Sequence, residues 1–76
     1  MTHTDIIKSI MYYRRMTQTE LAERAGLSGQ GRVSDRLNRK NCTVKGLAEL
    51  LKGLNCELII REEDGLEYVI KADDYE

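Results

Sequence analysis

A short polar and basic segment in the first half of the chain carries side chains that could recognise the edges of nucleic-acid bases. Gln30 and Arg32 each present two hydrogen-bonding groups, which fit adenine and guanine respectively in the major groove of DNA. Ser34 can donate to several acceptors. Asp35 can accept from a cytosine amine, or it can orient Arg32 or Arg39. We expect some of these side chains to reach base edges.

Further polar residues stand at the predicted helix ends, where they could contact phosphates. Thr17 and Gln18 begin a helix whose free backbone N–H groups can bind an anion. Asn38, Arg39 and Lys40 end the next helix and are expected to touch the DNA backbone rather than bases. The predicted DNA-binding residues are Thr17, Gln18, Ser28, Gln30, Arg32, Ser34, Asp35, Asn38, Arg39 and Lys40.

The helix that precedes this segment has clear start and stop signals. Thr17 and Glu20 have the three-residue spacing of a capping box, and Met16 and Leu21 occupy the two positions of a hydrophobic staple. Gly26 follows the last periodic residue and suits the left-handed C-terminal cap. The small residues of the inner face, Ala22 and Ala25, would let another helix approach closely.

The polar segment itself is predicted to be the next helix, starting near residues 28–30 with Val33 and Leu37 as its inward pair. Two short helices joined by a glycine bend match a helix-turn-helix, in which the first helix braces the second in the major groove. An ordinary helical hairpin in a small bundle would share the same caps.

The stretch "TQTELAERAGLS" resembles the lambda-repressor-like, Xre/Cro-type helix-turn-helix family. Gln18 matches a polar position of that family, and Leu21 and Leu27 match core positions. Ala22 matches a small-residue position and Gly26 the position in the turn. The similarity covers roughly residues 4–55 and implies a four- or five-helix bundle that binds operator DNA as a dimer. The four residues "GQGR" between Ser28 and Val33 are one more than is usual in the family, so the turn is longer or the helix starts later.

Two more helices complete the predicted bundle. The first runs to about Arg15, is capped by Thr2 or Thr4, and repeats Ile6, Ile7, Ile10 and Met11 at helical spacing. The last is capped by Thr43, ends at Asn55 in a glycine-like role, and buries Val44, Leu47, Ala48, Leu50, Leu51 and Leu54.

The carboxyl end changes to a β pattern, with "CELII" and "LEYVI" on either side of Asp64-Gly65. A two-residue loop there would pair Ile60 with Val69 and Ile59 with Ile70. Both faces of this hairpin would be partly apolar, and a second copy of the hairpin is the simplest cover. The predicted dimer interface is therefore Leu58, Ile59, Ile60, Tyr68, Val69 and Ile70.

Charge divides the chain into two unlike halves. Residues 1–40 hold eight basic and four acidic side chains, whereas residues 41–76 hold four basic and nine acidic ones. The first half is suited to a polyanion, although charge can also simply solvate a surface. Arg14 and Arg15 are interpreted as either a phosphate-side patch or solvated surface.

These patterns favour a mainly α fold, a four- or five-helix lambda-repressor-like bundle with a C-terminal β-hairpin. Residues 1–56 would form the bundle, and residues 57–76 the hairpin and acidic tail that dimerise it. The resulting hypothesis is a cytoplasmic, sequence-specific transcription regulator that binds double-stranded DNA as a homodimer. The alternative is an antitoxin-like protein whose hairpin binds a partner protein while the amino-terminal half autoregulates.

Other classes of function lack the residues they need. Two cysteines and one histidine do not suggest a disulfide framework or a four-ligand zinc site, and no cofactor is expected. The acids cluster in the hairpin turn and tail, and no glycine-rich phosphate loop follows a strand, so we do not expect an enzyme. No apolar run reaches the roughly 20 residues of a membrane span, and the amino terminus is not typical of a secretion signal.

Overall fold

A computed structural model describes residues 1–39 and 41–75. The helices are α1 (His3–Arg14), α2 (Gln18–Ala25), α3 (Gln30–Asn38) and α4 (Val44–Gly53). An antiparallel hairpin of β1 (Leu58–Arg61) and β2 (Glu67–Ile70) follows, and then a 3₁₀ helix, Ala72–Tyr75. The predicted fold class, a mainly helical bundle with a C-terminal hairpin, is confirmed.

The first two helices begin at capping boxes. The backbone N–H groups of Asp5 and Glu20 donate to the hydroxyls of Thr2 and Thr17, both at 3.1 Å, and the two carboxylates accept from the N-cap residues in return. Hydrogen bonds from Thr2 hold the pKa of the Asp5 carboxyl below its ordinary value of 3.8. These boxes fix where α1 and α2 start.

A left-handed glycine ends α2 as the sequence predicts. Gly26 has a φ of 73°, and the N–H of Leu27 donates to the carbonyl of Ala22 at 2.8 Å. Asn55, which follows the C-cap residue Leu54 of α4, also has a positive φ, of 56°. Each reversal turns the chain sharply, so the next element can fold back on the core.

The core lies where α2 packs against both α3 and α4. Its buried side chains are Ile7, Met11, Leu21, Ala22, Val33, Leu37, Leu50, Leu51 and Leu54. Two residues of the predicted apolar patterns lie outside the core: Ile6 is 43% exposed, and Val44, which was predicted to be buried, is 46% exposed. Val44 follows the N-cap directly, on the solvent side of the first turn, and Ile6 lies beside Ile7, which takes the inward position on α1.

Arg14 of α1 makes a contact within the fold, whereas a phosphate-side patch or solvated surface was expected for it. The Arg14 guanidinium donates to the carbonyl of Leu54 at the carboxyl end of α4, and its other nitrogen lies 3.9 Å from the Cys56 sulfur. Carbonyls at a helix C-terminus lack partners within the helix and carry partial negative charge. Arg14 therefore ties the end of α1 to the end of α4.

The predicted hairpin register is wrong by one residue. The observed pairs are Leu58–Ile70, Ile59–Val69, Ile60–Tyr68 and Arg61–Glu67. The loop has three residues, 63–65, because Glu62 pairs with Leu66 (N to O, 2.7 Å) and Gly65 adopts a φ of 99°. A three-residue loop with a left-handed last position is a common hairpin connection. It places Glu67 opposite Arg61, with an ion pair of 2.7 Å, rather than opposite Glu62.

Candidate nucleic-acid interface

α2 and the turn after it position α3, which packs against α2. Thr17 caps α2 and is exposed, while Gln18 is half-buried in its first turn. The four residues 26–29 then lead into α3, which starts at Gln30, the latest of the predicted positions. Of the four residues 29–32 between Ser28 and Val33, Gly29 therefore lies before the helix and residues 30–32 form the first turn of α3.

Helical spacing divides α3 into a buried and an exposed side. Val33 and Leu37 are both buried in the core, as predicted. The opposite side carries polar residues and one glycine, all exposed: Gly31, Arg32, Asp35, Asn38 and Arg39. The described part of α3 thus presents a polar rod that its hydrophobic pair anchors to the core.

Hydrogen bonds hold several side chains of this rod in place. The Thr19 hydroxyl of α2 donates to the Gln30 side-chain oxygen at 3.3 Å, which links the two helices. One turn further along, the Asn38 amide donates to the Ser34 hydroxyl at 3.2 Å. The first bond uses the Gln30 side-chain oxygen, so the amide nitrogen can donate to another acceptor.

The ambiguous acid Asp35 pairs with Arg39, the residue directly after its helix. Its carboxylate lies 2.8 Å from the Arg39 guanidinium, at the i, i+4 spacing that favours such pairs. Both side chains are exposed, so the pair adds little to stability, but it restricts where Arg39 can point. Of the two arginines that Asp35 was expected to orient, the structure selects Arg39.

A groove of about 250 Å³ lies between α3 and the start of α4, with Arg32, Arg39 and Lys45 on its walls. Arg36 closes one side: its guanidinium donates to the Gly46 carbonyl at 3.3 Å and pairs with Glu49 at 3.3 Å. α4 therefore supplies the charged head of Arg36 with two acceptors.

Nine of the ten predicted DNA-binding residues lie in or next to α2, α3 and the turn that joins them. Thr17 and Gln18 are at the start of α2, and Ser28 is in the turn before α3. The residues on α3 are Gln30, Arg32, Ser34, Asp35 and Asn38, with Arg39 directly after it. Lys40 lies outside the described residues. The predicted dimer-interface residues lie apart from this unit, on the two strands of the hairpin.

Three residues around this surface were missed. Thr19 holds Gln30, while Lys45 and Arg36 border the groove beside α4. A basic residue two places after the N-cap Thr43 could have pointed to Lys45, because helix starts attract anions. Nothing in the local sequence indicates the contact of Thr19 or the pairing of Arg36 with Glu49, since both depend on how the helices pack.

Other kinds of site have little support in the described residues. Cys42 and Cys56 are free and half-buried. Residues 1–39 and 41–75 contain no group of three or more His, Cys, Asp or Glu side chains placed to hold a metal ion. No helix in the same ranges is long and apolar enough to cross a membrane.

Comparison of the chain with models of known protein families, with curated proteins and with solved structures finds no match.

Proposed function

We propose that this protein is a sequence-specific, DNA-binding transcription regulator that inserts α3 into the major groove. One observation carries the proposal: α3 is anchored by Val33 and Leu37 and leaves its whole opposite side polar and exposed. The major groove of B-form DNA is about 12 Å wide, which admits one α-helix. The family resemblance of "TQTELAERAGLS" supports the same reading.

The side chains of α3 divide into base readers and backbone contacts. Gln30 accepts a hydrogen bond from Thr19 and can donate from its amide nitrogen to an adenine. Arg32 can make a bidentate contact with a guanine. The Asp35–Arg39 pair directs the Arg39 guanidinium, which we assign to a phosphate together with Asn38. Loss of a reader should alter the preferred sequence, whereas loss of a phosphate contact should weaken binding to all sequences alike.

The groove between α3 and α4 would lie along one DNA strand. Arg32, Arg39 and Lys45 give it positive charge, and Thr17 and Gln18 mark a second anchor at the start of α2. We propose that the protein acts in the cytoplasm as a homodimer. Two α3 helices would then enter successive major grooves, with half-sites about 34 Å apart or a multiple of that spacing.

Selection from a library of random DNA duplexes with the purified chain tests this function. We expect enrichment of a short motif that retains binding at moderate ionic strength. In the selected duplex, Arg32→Ala should lose discrimination at one base position. Arg24→Ala is the matched control, because it removes the same charge from an exposed position of α2 outside the proposed surface. No enrichment, or equal effects of the two variants, would contradict the proposal.

A second candidate function is supported by the hairpin. Four hydrophobic residues of its strands, Ile59, Ile60, Tyr68 and Val69, are exposed in the single chain. An antitoxin-like protein would use such a surface to bind a partner protein while its helices autoregulate transcription. Measuring the molecular mass of the isolated chain and its affinity for DNA separates the two candidates. A hairpin that binds a partner protein leaves the isolated chain monomeric, whereas a hairpin that pairs with itself gives a dimer.

A further inference from the structure

One face of the hairpin forms a continuous apolar surface, which we call the apolar strip. Side chains alternate between the two faces of a strand, so directly paired residues share a face. The observed register therefore places Leu58, Ile60, Tyr68 and Ile70 on one face, and the next pair, Leu66 and Glu62, lies on the same face. The other face carries Ile59, Val69 and the Arg61–Glu67 ion pair.

The apolar strip starts beside the core and becomes exposed toward the hairpin tip. At the base, Leu58 packs on the core and Ile70 is half-buried. Further out, Ile60, Leu66 and Tyr68 are 55%, 57% and 52% exposed. Three large neighbouring side chains exposed on one face are typical of a surface that another protein covers.

A pocket lies at the base of the strip, between α4, the hairpin and the 3₁₀ helix. It has a volume of about 220 Å³, and its walls include Ala48, Leu51, Leu58, Ile70 and Ala72. Small-molecule pockets usually measure about 300–1,000 Å³, so this one is better suited to a single apolar side chain. The strip therefore has a partly apolar pocket at one end and an exposed leucine, Leu66, at the other.

The two ends of the strip also differ in charge. The hairpin tip carries Glu62, Glu63 and Asp64, all exposed. Two lysines and two acids border the pocket at the base: Lys52, Lys71, Glu57 and Asp73. Lys52 pairs with Asp73 at 3.7 Å, whereas Lys71 has no ion pair within the described ranges 1–39 and 41–75. An acidic tip from another molecule would thus meet a rim whose charges balance, and Lys71 would be its nearest basic partner there.

We propose that a second copy of the chain covers the apolar strip, with the two hairpins packed face to face and running in opposite directions. A two-fold axis would bring the two Ile60–Tyr68 pairs together, and each Leu66 would enter the pocket of the other subunit. Such an interface is self-complementary, as a two-fold dimer requires. The opposite arrangement, with the tips together, would place three acids against three acids.

This arrangement specifies the homodimer of the proposed function, but it stands on the hairpin alone and its test contains no DNA. If the hairpin test fails, the proposal that α3 binds DNA is unaffected. If the chain fails to bind DNA, the proposed hairpin dimer is unaffected. The geometry predicts that Leu66 of one subunit lies near the half-buried Cys56 of the other, because Cys56 also lines the pocket.

Disulfide trapping tests that proximity. The test protein is the full chain with Leu66→Cys and Cys42→Ser, oxidised mildly and mapped by peptide mass spectrometry. Within one hairpin, four residues of strand, about 13 Å, separate the level of Leu58 from that of Leu66. Disulfides need Cα atoms within about 7 Å, so a bond between positions 56 and 66 must join two chains.

We expect sedimentation to give a dimer of the unmodified chain, and trapping to give a covalent dimer linked between positions 56 and 66. Adding Cys56→Ser should abolish that covalent dimer. A monomer, a dimer without the cross-link, or a 66-to-66 cross-link in the Cys56→Ser variant would each overturn the arrangement. Circular dichroism of every variant verifies that the helices remain folded, since Leu66 is an exposed residue outside both strands.

Discussion

Replacing Gly53 with alanine should destabilise the protein, although alanine is the better helix former. Gly53 is the buried last residue of α4, and it lies against Leu21 and Ala25 of α2. An added Cβ would stand 2.8 Å from the Leu21 Cδ1, 2.9 Å from the Ala25 Cβ and 3.0 Å from the Ala25 backbone nitrogen. The leucine methyl can move, but the backbone nitrogen can move only with α2 itself.

The expected magnitude follows from two opposing effects. Forcing one extra carbon into a tight core costs about 1–3 kcal/mol. Exchanging glycine for alanine inside a helix returns up to about 1 kcal/mol, and less at a helix end. The net loss should be about 1–2 kcal/mol, which lowers the unfolding midpoint of a 60–100-residue domain by about 4–16 °C.

Gly31→Ala is the matched control, because the added carbon at this exposed position of α3 has no atom within 4 Å. Only the helix propensity acts there, so the variant should gain up to about 1 kcal/mol. Thermal unfolding followed by circular dichroism, at equal protein concentrations, compares the two. If Gly53→Ala stabilised the protein as much as Gly31→Ala, the close contact between α2 and α4 would be refuted.

Three further predictions concern the ends of elements. Thr17→Ala should cost about 1 kcal/mol in urea unfolding, because it removes the cap that starts α2; an unchanged midpoint would contradict that role. Gly65→Ala should cost about 1–2 kcal/mol, since its φ of 99° suits glycine; a neutral result would mean a different loop. The Asp5 pKa is lowered in the folded state. The contribution of this carboxylate to folding stability is therefore complete above pH 3.8 and is lost as the pH falls through the pKa of the folded state. Compared with Asp5→Asn, the wild type should therefore lose more stability on acidification, and parallel pH profiles would contradict this.

The local signals in the sequence were sufficient to predict the helices. Capping residues at Thr2, Thr17 and Thr43 and left-handed stops at Gly26 and Asn55 all act through hydrogen bonds within a few residues. Short-range chemistry of this kind can be read directly from residue order. The inward pair of α3 followed from helical spacing for the same reason.

Features that depend on contacts between elements were not predicted. The Arg14 contact with the end of α4 joins residues forty positions apart, and Arg36 is held by two groups of α4. The hairpin register depended on whether the loop had two or three residues, and Asp64-Gly65 fits both. For the candidate interface, the sequence supplied the residue types, whereas the Thr19–Gln30 and Asp35–Arg39 partners came only from the packed structure.

Mapping the surface of the labelled protein by NMR, during titration with its selected duplex, tests the central proposal most directly. If α3 enters the major groove, the largest backbone amide shifts will fall in residues 17–19 and 28–39, and the hairpin tip will stay unchanged. If residues 28–39 show no shift while α1 or the hairpin responds, the DNA-reading role of α3 is contradicted.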